Sequence, residues 1–130
     1  MDLIYDSFWV DLLTGLINLT GDIRALLVAP SYKPDSGHKR SDVREAKGTG
    51  YTAGGVVLTG CKVEWDGATK EAVFRADNPV WLNVTIAVGG VVLCQQDRLI
   101  CCKWFGERLA MDGNVRGEWD EAGILRIGAQ

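Results

Sequence analysis

Val84-Thr85-Ile86-Ala87-Val88-Gly89-Gly90-Val91-Val92-Leu93-Cys94 and, four residues further on, Leu99-Ile100-Cys101-Cys102-Lys103-Trp104-Phe105 are the stretches that decide the fold. Both are apolar, both read as strands, and glycine punctuates the first at Gly89-Gly90. The same texture extends outward in both directions. Strands are expected at 56–58, 61–65, 71–76, 115–119 and 124–127, with turns at Asp66-Gly67, Gly89-Gly90, Asp112-Gly113 and Ala122-Gly123. Lys62 and Glu64 alternate with Cys61, Val63 and Trp65, and Lys70, Glu71 and Arg75 flank Val73 and Phe74, so one sheet face should be wet. Asp77-Asn78-Pro79 interrupts the chain before Val80-Trp81-Leu82.

Upstream the pattern changes twice. In residues 2–19, Ile4, Tyr5, Phe8, Trp9, Leu12, Leu13, Leu16 and Ile17 recur with three-four spacing, which predicts one amphipathic helix capped by Asp2 and carrying Asp6, Ser7, Asp11, Thr14 and Asn18 on its polar face. After Gly21 a short apolar run, 23–29, reads as a buried strand. Residues 30–55 are rich in turn formers, basic groups and glycine; with an apolar strand on each side they read as a long ordered loop excursion. The expected class is α+β, mainly β: one N-terminal helix packed on an antiparallel sheet or small β-sandwich. All 130 residues should form a single domain, with strands through 56–130. A chain this long buries roughly two-thirds of its unfolded surface and needs no metal or disulfide to fold.

The 14 Lys and Arg against 17 Asp and Glu leave a formal charge of −3, which argues against nucleic acid as a partner. No run reaches the ~18 apolar residues of a membrane span, so no membrane partner is expected either. The acidic start Met1-Asp2-Leu3-Ile4-Tyr5-Asp6 is unlike a secretory signal and predicts cytosolic synthesis. A hydrophobic content of 47% with five Trp leaves two readings, apolar surface buried in a partner or a Trp-rich core.

Catalytic and metal constellations do not emerge. Cys61, Cys94, Cys101 and Cys102 form no C-x-x-C pair, and His38 is remote from them in sequence. Adjacent Cys101 and Cys102 would point to opposite faces of a strand, so buried thiols acting as small apolar groups are expected, with a redox role as the other reading. Gly48-Thr49-Gly50-Tyr51-Thr52-Ala53-Gly54-Gly55 lacks the Gly-Lys-Ser/Thr ending of a phosphate loop and opens no helix. His38 has no nucleophile with a recognisable local signature, and Asp112, Glu118, Asp120 and Glu121 read as a solvated face. No catalytic residue, cofactor or metal is expected. The candidates for contact with a partner are Tyr32, Lys33, His38, Lys39, Arg40, Arg44 and Tyr51 in the excursion, and Trp81 and Trp104 on the strands. The alternative readings are a solvated loop and core tryptophans.

Ser31-Tyr32-Lys33-Pro34-Asp35 with His38, then Ser41-Asp42-Val43, the string Gly48 to Gly55, Ala76-Asp77-Asn78-Pro79-Val80-Trp81, and Trp119-Asp120 before Gly123-Ile124-Leu125 together carry a resemblance over nearly the whole chain. In these motifs it resembles a family of small virion structural proteins of tailed bacteriophages, head-decoration, tail or fibre-associated. The resemblance implies a non-enzymatic virion component made in the bacterial host cytoplasm. Within that class a capsid decoration (cement) protein is expected, binding the major capsid protein and itself as a homo-oligomer, for instance a trimer. A tail, neck or fibre-attachment protein is the first alternative, and a small cytosolic enzyme or ligand binder using the loop as a lid is the second.

Overall fold

The structure is a computed structural model that describes residues 2–128. Its spine is one long hairpin: β6 (Val80–Gln95) and β7 (Arg98–Arg116) run antiparallel through a two-residue turn at Gln96-Asp97, with Gln96 at φ 54°. Leu93 faces Cys101, Gly90 faces Trp104 and Ile86 faces Ala110. The expected turns at Gly89-Gly90 and Asp112-Gly113 are both corrected, because each pair lies inside a strand. At the first, the missing side chains make room for Trp104: a Cβ on Gly89 would come within 2.3 Å of the indole. At the second, Asp112 adopts φ 49° and donates its N–H to Thr85 Oγ1 at 2.8 Å, an irregularity the ladder absorbs. The strand expected at 115–119 is therefore the end of β7, which stops at Arg116.

Among the described residues the chain forms two antiparallel sheets. Beside the spine lie β1 (Asp2–Ile4), β2 (Arg24–Val28) and β3 (Val56–Val57), giving the order β1-β7-β6-β2-β3. β4 (Lys62–Asp66), β5 (Glu71–Arg75) and β8 (Leu125–Gly128) make a smaller sheet with β5 in the centre. Alternation along the larger sheet feeds two cores. Ala25, Leu27, Val91 and Leu93 join Phe8, Phe74, Trp81 and Leu125 on the face that meets the small sheet and the helix. Leu26, Val28, Val92 and Cys94 join Tyr5, Tyr32, Val43 and Leu99 on the opposite face. A sheet covered on both faces needs central strands that are apolar at nearly every position, which is why 88–94 shows no polar side chain.

The α+β class is overturned. The chain is β-rich, 48% strand and 9% helical, and among the described residues it has one α-helix, α1 (Asp6–Leu13), in place of a helix over 2–19. Asp2–Ile4 is β1, laddered to Lys103, Cys102 and Cys101 of β7; the open side of β7 gives this segment backbone partners that a local pattern cannot reveal. Tyr5, at φ −71° and ψ 140°, precedes the helix without a side-chain cap, so Asp2 is not the cap. Gly15 at φ 79° ends it, and the N–H groups of Leu16 and Ile17 fold back onto Asp11 O at 2.9 and 3.1 Å. The face assignment also shifts. Leu13 is 86% exposed and Leu16 53%, whereas Asp11, expected on the polar face, is buried and accepts from Arg98 Nη1 at 2.9 Å.

Candidate interaction surface

Within residues 30–55, Tyr32 and Val43 cover the second core, while Ala46 and Tyr51 pack on the first. Ala29 N–H donates to Arg44 O at 2.9 Å, Ala46 N–H to Leu27 O at 2.8 Å and Asp6 N–H to Ser36 O at 2.8 Å, so the segment is stitched to β2 and to the start of α1. Beneath it, the hydroxyls of Tyr5 and Tyr32 are 2.8 Å apart, and the Tyr32 hydroxyl lies 3.0 Å from His38 Nδ1. Burial raises both phenols above their ordinary pKa, with the Tyr32 contact adding to the rise at Tyr5, so both stay protonated. Further along, the Glu45 carboxylate accepts from the Tyr51 hydroxyl, from Gly54 N–H at 2.7 Å and from Arg40 Nη2 at 3.4 Å. The Tyr51 oxygen in turn accepts from Leu27 N–H at 3.1 Å. Burial, followed by the Glu45 contact, pushes the Tyr51 phenol up as well.

This bonding separates the expected contact residues. Tyr32 and Trp81 are buried and offer no surface to a partner; the Trp81 indole N–H finds no acceptor among the described residues. Tyr51, Arg40 and His38 are half-buried and engaged in the clamp, and Trp104 is half-buried against Gly89 and Gly90. Lys33, Lys39 and Arg44 are exposed, as are Lys47, Asp35 and Asp42, so the outer face of the excursion carries both signs with basic groups in excess. Cys94, Cys101 and Cys102 are buried and Cys61 is half-buried; Cys101 lines the first core and Cys102 the second. Desolvation raises the Cys94 and Cys61 thiols, with Asp77 adding to the effect at Cys61.

Surface features that the sequence reading passed over are apolar. Val80, Leu82, Leu109 and Met111 are exposed where β6 and β7 run beyond the rest of the sheet, Met111 at 73%. Val63, Trp65 and Ile127 are exposed on the small sheet, Trp65 at 66%. Val63 pairs with Phe74 and Trp65 with Ala72, and paired residues share a face. One end of that face, at Phe74 and Leu125, is sealed in the core, while the other overhangs into solvent. Alternation in 61–65 identifies two faces but carries no signal of where the cover on the apolar one stops.

The opposite face of the small sheet is held by charge. Arg126 Nε meets Glu71 Oε1 at 3.1 Å, and its Nη2 bonds Asp66 and, at 3.0 Å, Thr69 Oγ1. Glu64 lies between Lys62 Nζ at 3.0 Å and Arg75 Nε at 3.1 Å. Lys62, then Arg75, holds the Glu64 carboxyl below its ordinary range, and Arg126 does the same for Asp66. A cleft of about 380 Å³ opens between β1, α1 and the 119–125 segment that leads into β8, lined by Leu3, Trp9, Trp119 and Ile124 among others.

Among the described residues no group of three His, Cys, Asp or Glu side chains is placed to hold a metal, and no helix is long and apolar enough to cross a membrane. No protein-family model, curated protein sequence or solved structure matches the chain.

Proposed function

We propose that this chain is a non-enzymatic structural protein of a tailed-bacteriophage virion, a capsid decoration protein that binds the shell and copies of itself. The observation that carries the reading is the set of exposed large apolar side chains: Val63, Trp65 and Ile127, neighbours across the small sheet, and Val80, Leu82, Leu109 and Met111 along the outer part of the long hairpin. Single exposed apolar residues are ordinary on soluble proteins, whereas contiguous sets rimmed by charge mark surfaces that another molecule covers. Both sets sit on strands, so they meet a partner with little loss of conformational freedom. Burying them supplies roughly 25 cal/mol per Å², and repetition over a symmetric shell multiplies contacts that are individually weak. The resemblance in the Ser31 to Asp35 and Gly48 to Gly55 motifs supplies the container.

Gel densitometry of purified virions tests the reading. A decoration protein is recovered in numbers comparable to the major shell protein. Recovery of only a few copies per particle assigns it to the tail or neck, and absence from the particle refutes the proposal.

A further inference from the structure

Strand β4 is one edge of the small sheet, paired among the described residues through Lys62↔Arg75 to Asp66↔Glu71 on one side and without a register break. An edge of this kind is a template for another strand unless bulges or unfavourable charges block it. Other edges are less suitable. The side of β7 beyond β1 is interrupted by Gly106 at φ 84° and Asp112 at φ 49°, β3 has two residues, and β8 carries one charged side chain, Arg126, with no acidic neighbour in its own strand to oppose it.

The sequence of β4, Lys62-Val63-Glu64-Trp65-Asp66, is complementary to its own reverse. We propose that two copies of this chain join their β4 edges antiparallel, about a twofold axis at Glu64, to make one continuous six-stranded sheet. Lys62 of each copy then faces Asp66 of the other, and Val63 faces Trp65. Residues opposite one another in an antiparallel pair share a face, so both apolar overhangs meet on one side and both charge ladders on the other. Side-chain exposure of 59% at Lys62 and 32% at Asp66 leaves both groups accessible. Glu64 faces its own copy, a repulsive arrangement in isolation. Here each Glu64 carboxylate is already held by Lys62 and Arg75 of its own chain, so around the axis the two Lys62 and two Arg75 meet the two Glu64 and two Asp66, four cations to four carboxylates. Twofold symmetry explains why one short strand supplies both halves of the interface.

This inference rests on the self-binding part of the function proposed above and replaces an unspecified ring by a defined twofold contact. Five residues per side form a small interface, so dimers should build up over roughly 10–500 µM, at the weak end for protein pairs. Sedimentation velocity of the purified full chain across that range tests it, with circular dichroism as the control for folding. Wild type is expected to shift from monomer to dimer. Lys62→Glu, Asp66→Lys and Trp65→Lys are each expected to remain monomeric. An equimolar mixture of Lys62→Glu with Asp66→Lys is expected to recover the dimer, because each copy then meets an opposite charge at both ends. Lys62→Glu and Trp65→Lys change exposed side chains and keep the test valid if Asp66→Lys loosens the Arg126 cluster. A wild type that is monomeric throughout, or a dimer that Lys62→Glu and Trp65→Lys leave intact, overturns the pairing. A monomeric wild type recovered on purified virions overturns it while leaving the virion reading in place.

Discussion

Gly89 lies under the Trp104 ring, and this contact shows how a residue chosen for what it lacks shapes the sheet. A Cβ there would press on the indole at 2.3 Å, whereas one on Gly90 would strike the Lys103 carbonyl at 2.5 Å. Gly89→Ala is expected to cost about 2 kcal/mol by overpacking. In a Trp104→Val background the same change should cost about 1 kcal/mol less, measured as coupling in a double-mutant cycle by urea denaturation; strictly additive effects would contradict the contact. The Glu45 clamp makes a similar claim at Tyr51, which packs on the first core. Its hydroxyl is at once donor to Glu45 and acceptor for Leu27 N–H. Tyr51→Phe is expected to lose about 1–3 kcal/mol, because a carboxylate and an amide each lose a partner. An unchanged urea midpoint would show that the clamp does not hold the excursion down. The glycines were visible in the sequence but not their meaning: Gly-Gly signals a turn equally well as it signals a neighbouring ring, and Trp104 is brought to Gly89 only by the hairpin register.

Among the elements, α1 and the small sheet differ in how much of their form the sequence shows. The three-four spacing of 2–19 is genuine over Phe8 and Leu12, yet its ends belong to other forces: β7 draws Asp2–Ile4 into a ladder, and Gly15 ends the helix before Leu16. Strands 61–65, 71–76 and 124–127 were legible from alternation, and the structure shifts their bounds by a residue or so. Their charge ladder, however, links positions as far apart as Asp66 and Arg126, which no local window connects. It makes the small sheet sensitive to acid. Glu64 and Asp66 have lowered pKa values when folded, so the stability they contribute is complete above the unfolded carboxylate range of about 3.9–4.3 and is lost as pH falls through the lowered values. Arg126→Met should therefore separate from wild type most clearly at about pH 6 in urea unfolding, with the gap closing below about pH 4. A gap that persists undiminished at about pH 2.5 would mean that packing of the Arg126 stem, rather than its charge, holds the sheet.

For the whole molecule, the Tyr32 to Val43 part of the excursion and the small sheet cover opposite faces of one five-stranded sheet, Ala46 and Tyr51 pack on the small-sheet side, and apolar surface remains where no cover reaches. The excursion's length was plain from composition; its use as a roof over Leu26, Val28 and Val92 was not, because the Tyr5 to Tyr32 to His38 chain joins residues that meet only after folding. The exposed sets at Trp65 and Met111 were equally hidden, since a strand's apolar face does not reveal from sequence where its cover stops. Those uncovered ends are the parts this account gives to neighbours in a phage shell. Electron microscopy of intact particles carrying a gold-tagged copy of the chain tests that assignment most directly. Gold at regular intervals over the head is the expected result. Particles without gold, with the tagged chain left behind in the lysate, would contradict it.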